Sequence, residues 1–199
     1  MTPFYRFIRA LFTPFVKLIL RPRVSGLDKL ESRGGYILCC NHQSMLDMFI
    51  LVITFPTQIC FMAKKELFKN PIAAWFFRGL GAFPVDRGSG DTSAIKNALA
   101  VLKENKVLGI FPEGTRNTEG RPGKAKAGAA MLAMNSGADV LPVAINYHGK
   151  PKMSSKITLS FGDIIKNADL AGEDTGRAAL RTASNKIMSE ITNLWETDN

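Results

Sequence analysis

The sequence predicts a single α/β domain with a largely parallel central sheet flanked by helices, preceded by a basic amphipathic helix. Three observations carry that prediction. Short apolar, β-branched runs alternate with helical patterns, which is the signature of strands joined by crossover helices. The 199 residues, 46% hydrophobic and 22% charged, match globular averages and exclude a disordered, repetitive or collagen-like chain. A chain of this length buries roughly 70% of its unfolded surface in one core and is short for two full domains.

The first twenty residues supply the basic amphipathic helix. At 100° per residue, Arg6, Arg9, Thr13, Lys17 and Arg21 fall within a sector of about 120°. Phe4, Phe7, Ile8, Leu11, Phe12, Phe15, Leu18 and Ile19 occupy the opposite side, and no acid precedes Asp28. Such a helix suits the headgroup plane of an anionic membrane, and Pro14 would kink it. A helix that only covers the core with its apolar side is the plainer alternative. Arg6, Arg9 and Lys17 interrupt the apolar stretch and no A-x-A site follows, so neither a spanning helix nor a signal peptide is expected. The boundaries read as 1–24 for a membrane-interface helical segment and 25–199 for the α/β domain.

Strands are expected at Tyr36–Cys40, Ile59–Ala63, Val107–Phe111, Val140–Asn146 and Ile157–Phe161. Helices are expected at Met45–Ile53, Pro71–Arg78, Thr92–Lys103 behind the cap Asp91, Gly128–Asn135 before Gly137, and Thr175–Trp195 behind Asp174. Met48–Ala63 is sixteen residues without a charge, but Pro56, Thr57 and Gln58 divide it. It reads as a buried helix, a turn and a strand, short of the ~20 residues that cross a bilayer. On the last helix, Leu180, Ala183, Ile187, Met188, Ile191, Leu194 and Trp195 form a core-facing stripe.

Twenty-six Lys and Arg against seventeen Asp and Glu give a net charge of +9, a field that attracts anionic lipid, phosphorylated substrates, acidic carrier proteins or nucleic acid. Nucleic acid is disfavoured as a partner because basic residues are not interleaved with aromatics beyond the first helix. Cys39, Cys40 and Cys60 lack C-x-x-C spacing, and two histidines supply too few ligands for zinc, so no metal is expected. Cys39 and Cys40 read as small buried hydrophobes of a reducing compartment.

Candidate chemistry gathers at three strand ends, where open α/β sheets bind ligands. In Asn41-His42-Gln43-Ser44-Met45-Leu46-Asp47, the His and Asp are five residues apart, about 140° on one helix, so one regular helix could not bring them together. A helix starting near Ser44, which with Asp47 resembles a capping box, leaves His42 on the preceding turn. That bend lets Asp47 reach an imidazole nitrogen and fix its tautomer, while the other nitrogen takes a proton. Plain capping by Asp47 and a hydrogen-bonded turn histidine account for the same spacing.

The strand Val107–Phe111 stops at Pro112 and opens into Glu113-Gly114-Thr115-Arg116, where the Arg116 guanidinium can fork onto phosphate. Gly81 to Arg87 repeats the form: glycine, apolar stretch, cation. Lys124 and Lys126 precede the helix at Gly128, whose N-terminus adds positive potential. Cations on three loops imply one shared anion, although each alone fits a solvated surface charge.

Together these residues resemble the glycerolipid acyltransferase family, with its bacterial members nearest in pattern. Asn41 to Asp47 matches the family's N-H-x-x-x-x-D element. Phe111-Pro112-Glu113-Gly114-Thr115-Arg116 matches F-P-E-G-T-R without substitution. Gly81 to Arg87 resembles G-x-x-x-x-x-R, with Pro84 at a position commonly aliphatic, and Leu141-Pro142-Val143-Ala144-Ile145 resembles the fourth element. The resemblance covers roughly 25–150 and makes 25–199 an acyltransferase domain.

It implies acyl transfer from a thioester, acyl-CoA or acyl carrier protein, to the 2-hydroxyl of lysophosphatidate, giving phosphatidate without a cofactor. His42 is then the base, Asp47 its orienting partner, and Arg87, Glu113, Gly114, Arg116 and Lys126 the group that organises the acceptor and its phosphate. Cys40 beside His42 is the alternative, a covalent nucleophile. Glycerol 3-phosphate or another lysophospholipid as acceptor, and a non-catalytic module for anionic lipid, are the competing functions. A lipid acceptor places the protein at the cell membrane, peripheral or monotopic on the cytoplasmic face.

Overall fold

The computed structural model describes residues 1–30, 34–86, 92–117, 119–152 and 155–197. The chain begins with helix α1 (Pro3–Ile19), where the Thr2 hydroxyl accepts the Tyr5 N–H and Pro3 takes a first-turn position that needs no donor. Strand β1 (Arg23–Ser25), β2 (Ile37–Cys40), helix α2 (Leu46–Thr54) and β3 (Ile59–Lys64) follow. Next come α3 (Pro71–Gly79), β4 (Phe83–Val85), α4 (Thr92–Lys103), β5 (Val107–Ile110) and α5 (Gly128–Ser136). Strands β6 (Val140–Tyr147) and β7 (Ile157–Phe161) precede the closing helix α6 (Gly176–Thr197).

The seven strands form one sheet in the order β1-β7-β6-β2-β5-β3-β4. Every neighbouring pair is parallel except β6 with β7. The strand-turn-helix alternation therefore yields the expected largely parallel sheet. β1 and β4 go beyond the expected strands. Each has three residues, too few to display a period of two, and Pro84 is tolerated because β4 lies at the sheet edge. Asp91, read as the cap of α4, lies outside the described residues.

Both faces of the sheet are covered, which explains why the central strands read as continuous apolar runs rather than alternating ones. Leu38 and Cys40 join Tyr5, Ile50, Leu51, Phe61 and Ile145 in a core on one face. Ile37 and Cys39 point the other way, into a core with Ala98, Leu132, Ala133, Ile187 and Ile191. All three cysteines are free and buried.

Helix α1 divides into three sides rather than two. Tyr5, Val16 and Leu20 pack into the first core. Arg9 turns toward the protein and donates to the Pro56 carbonyl at 3.2 Å. Phe7, Leu11, Phe12, Phe15, Leu18 and Ile19 remain exposed, with Leu18 at 68%. Among the described residues, every other large exposed hydrophobic side chain is Met1, Leu27, Met45 or one of two on α3, Ile72 and Trp75. Phe4 joins the two helices by an edge contact on Trp75 at 4.9 Å. No described helix is long and apolar enough to cross a membrane.

Candidate active site

Where β2 ends, the Asn41 side chain continues its ladder. Its amide donates to the Ile145 carbonyl at 2.9 Å and accepts the Ile145 N–H at 2.8 Å, so β6 fixes the start of the turn. α2 begins at Leu46, one residue later than expected, and the Ser44 hydroxyl accepts the Leu46 N–H at 3.2 Å. Asp47 Oδ2 reaches back to the N–H groups of Gln43 at 2.7 Å and Ser44 at 2.8 Å. The same oxygen pairs with His42 Nδ1 at 2.8 Å. Asp47 is fully buried and His42 is 7% exposed. Capping and imidazole support are thus performed by one carboxylate, and the two readings of the spacing merge. With Nδ1 donating to Asp47, Nε2 is the ring nitrogen left to accept a proton.

The third motif holds the backbone of His42. Glu113 Oε1 accepts the His42 N–H at 3.1 Å, and the Asn117 N–H donates to the His42 carbonyl at 2.7 Å. Phe111 stacks on the imidazole with centroids 3.9 Å apart, and Phe61 stacks behind Phe111 at 6.0 Å. Each motif therefore needs the other, since one supplies the ring and the other fixes its position. Burial pushes the Glu113 carboxyl above its ordinary range, a cost partly offset by the hydrogen bond from His42.

Tyr147, at the end of β6, donates to Asp47 Oδ1 at 2.6 Å. Burial and the neighbouring Asp47 charge push the phenol far above its usual range, so it stays protonated. The Cys40 thiol is also driven well up, first by burial and then by Asp47 and Glu113, and it is wholly inaccessible. A nucleophilic cysteine needs the opposite environment, so Cys40 belongs to the core.

The structure brings together some of the remaining candidates. Gly114 turns the loop at φ +71°, and a Cβ there would lie 3.0 Å from Lys126 Cδ. Lys126 is exposed, folds over Gly114 and donates its N–H to the Pro112 carbonyl at 2.8 Å. Arg116 is exposed, with no ion pair among the described residues. Arg87 lies outside the described residues. A largely apolar cleft between β5, α4 and α5 is bordered by Phe111, Pro112, Gly114 and Lys126. A second, narrower apolar cleft lies on the other sheet face between α1, α2 and α3. Among the described residues no group of three His, Cys, Asp or Glu side chains converges as metal ligands would.

Sequence reasoning gave no separate role to Asn41 and Gln43, which stand in the first motif, and did not reach Asn117 or Tyr147; among the described residues the buried Gln43 side-chain amide has no hydrogen-bond partner. Of the two outside that motif, Tyr147 carried a usable signal, a hydroxyl at the carboxyl end of a strand neighbouring it.

The order of these elements and the sheet they decorate recur in known proteins. Residues 21–146 match the Acyltransferase family. The 1-acyl-sn-glycerol-3-phosphate acyltransferase of Bacillus subtilis (strain 168) is 34% identical over 86% of this chain and 88% of its own. That of Streptococcus pneumoniae is 32% identical over 97% of this chain and 74% of its own. The crystal structure of PlsC, the 1-acyl-sn-glycerophosphate acyltransferase of Thermotoga maritima, superposes with a TM-score of 0.73 at 24% identity. That alignment covers 95% of this chain and 77% of the other, and carries the fold alone. A match spanning more than half the chain, together with relatives aligned over most of both lengths, makes this protein a member of the Acyltransferase family.

Proposed function

We propose that the protein transfers a fatty acyl group from a thioester to the 2-hydroxyl of lysophosphatidate, producing phosphatidate and a free thiol. The observation that carries this reading is the 2.8 Å bond between His42 Nδ1 and a fully buried Asp47, which leaves Nε2 to act as base. Relatives named for acylation of 1-acyl-sn-glycerol 3-phosphate support the choice of acceptor.

In this reading Nε2 takes the proton of the acceptor hydroxyl as its oxygen attacks the thioester carbon. Base catalysis of this kind contributes about 10²–10⁴-fold. The tetrahedral intermediate then expels the thiolate, which recovers the proton from the imidazolium. Arg116, Arg87 and Lys126 hold the acceptor phosphate, and Glu113 and Gly114 shape the loop that carries the first of them. The apolar cleft beside Phe111 suits an acyl chain. The donor is acyl-CoA or acyl carrier protein, and no cofactor takes part.

In this reading residues 1–24 carry the membrane-interface helix and 25–199 the acyltransferase domain, with Arg23 and Val24 of β1 already paired into its sheet. The exposed apolar side of α1, joined by Ile72 and Trp75 of α3 and flanked by Arg6 and Lys17, supports peripheral or monotopic attachment at the cytoplasmic face of an anionic membrane. Deleting residues 1–20 would also strip Tyr5, Val16 and Leu20 from the core, so the sharper test is the double variant Leu11→Ser, Leu18→Ser. Sedimentation with anionic vesicles should fall by roughly tenfold or more, about 1 kcal/mol for each lost anchor; undiminished sedimentation would refute the attachment. For the activity, lysophosphatidate is supplied with each donor while phosphatidate and thiol are followed. Equal amounts of both products are expected, and thiol without phosphatidate would refute the acceptor.

A further inference from the structure

We propose that Tyr147 is a positioning residue of this site, its hydroxyl fixing the Asp47 carboxylate so that Oδ2 stays directed at His42 Nδ1. This rests on the reading of His42 as the base. The two oxygens of Asp47 are used unequally. Oδ2 meets three N–H groups, from His42, Gln43 and Ser44. Oδ1 meets the Tyr147 hydroxyl at 2.6 Å. All of the former belong to the turn itself, so the phenol is the one tie from this carboxylate to the central sheet among its described hydrogen bonds.

The topology gives that tie its reach. β6 runs parallel to β2 with Cys40 opposite Val143, so Tyr147 lies further along at the carboxyl end of the strand, where the turn emerges. Phenylalanine would fill nearly the same space, and what the hydroxyl adds is a donor aimed at the carboxylate. Burial keeps that donor protonated. The other titratable groups facing this centre are Glu113, which grips the His42 N–H, and Cys40 on β2.

Removing the hydroxyl has two effects with the same sign. A buried carboxylate that loses a donor is harder to keep ionised, and its less shared charge binds the imidazolium proton more tightly. Both push the acid limb of the rate profile to higher pH.

The test is Tyr147→Phe, assayed with lysophosphatidate and a thioester donor. The expected kcat is about tenfold lower, the size of a hydrogen bond to a charged group felt in the transition state. KM should change less than about twofold, and the acid limb of kcat/KM should move to higher pH. His148 is the other histidine, so His148→Gln leaves one imidazole for NMR titration, which reads the same shift without turnover. An acid limb and an imidazole titration both unmoved by Tyr147→Phe would overturn the proposal, whatever happened to the melting temperature. Full turnover in His42→Ala would strike the base assignment itself, a failure separate from this one.

Discussion

His42 is held at its ring, its amide and its carbonyl, whereas Arg116 and Lys126 are exposed and have no ion-pair partner among the described residues. The contrast follows from the different work each region does. A general base gains from being aimed before substrate arrives, because orientation bought in advance lowers the barrier. A cation meant for a substrate phosphate gains from having no carboxylate to abandon first. The His42–Asp47 pair is therefore buried and strongly hydrogen-bonded, and the cation loop is open. Changes in the turn should act on rate, and changes in the loop should act on acceptor binding.

Asp47→Asn is expected to have the larger effect. An amide oxygen in the place of Oδ2 still accepts from the imidazole and the two N–H groups but carries no charge to hold the imidazolium, and its NH2 faces the Tyr147 hydroxyl, which must turn from donor to acceptor. A fall in kcat of about 10²–10⁴-fold with little change in KM is the expected outcome in steady-state assays. A change confined to KM would break the comparison.

Arg116→Ala should raise KM for lysophosphatidate about tenfold, one charge-assisted hydrogen bond, and move unfolding free energy by no more than about 0.5 kcal/mol. A phosphate-free monoacylglycerol sharpens the point. Its kinetics should be indifferent to this substitution, and an equal loss with both acceptors would remove the guanidinium from the phosphate.

Glu113 joins the two regions, being in the loop by sequence and on the His42 backbone by contact. Its raised ionisation means that the folded protein holds this proton more tightly than the unfolded chain. That contribution to stability is fully present below the ordinary value of 4.5 and is lost as pH rises through the raised one. Glu113→Gln keeps an acceptor for the His42 N–H and lacks this decline. Its urea midpoint relative to wild type should therefore rise between pH 4 and pH 8, the smallest effect of the three, and a parallel pH dependence would show the carboxyl to be solvated.

Much of this was legible in the sequence because it is local. The five strong strand runs, the small-residue helix before Gly137 and the bend between His42 and Asp47 all follow from spacing within a few residues. What escaped depends on distant partners. Asn41 matters through Ile145, Glu113 through the His42 amide, and Tyr147 through a carboxylate one hundred positions earlier. The short strands β1 and β4 exist because neighbours recruit them. In α1, periodicity separates polar from apolar sides but cannot tell which apolar residues meet the core; Tyr5 and Val16 do, and the phenylalanine-rich side does not. Arg87, read from its motif, lies outside the described residues.

The most direct test is His42→Ala, assayed for phosphatidate and free thiol with lysophosphatidate and thioester present, alongside sedimentation with anionic vesicles. The account predicts that both products disappear together while vesicle binding is unchanged. Phosphatidate formed at the wild-type rate would contradict it.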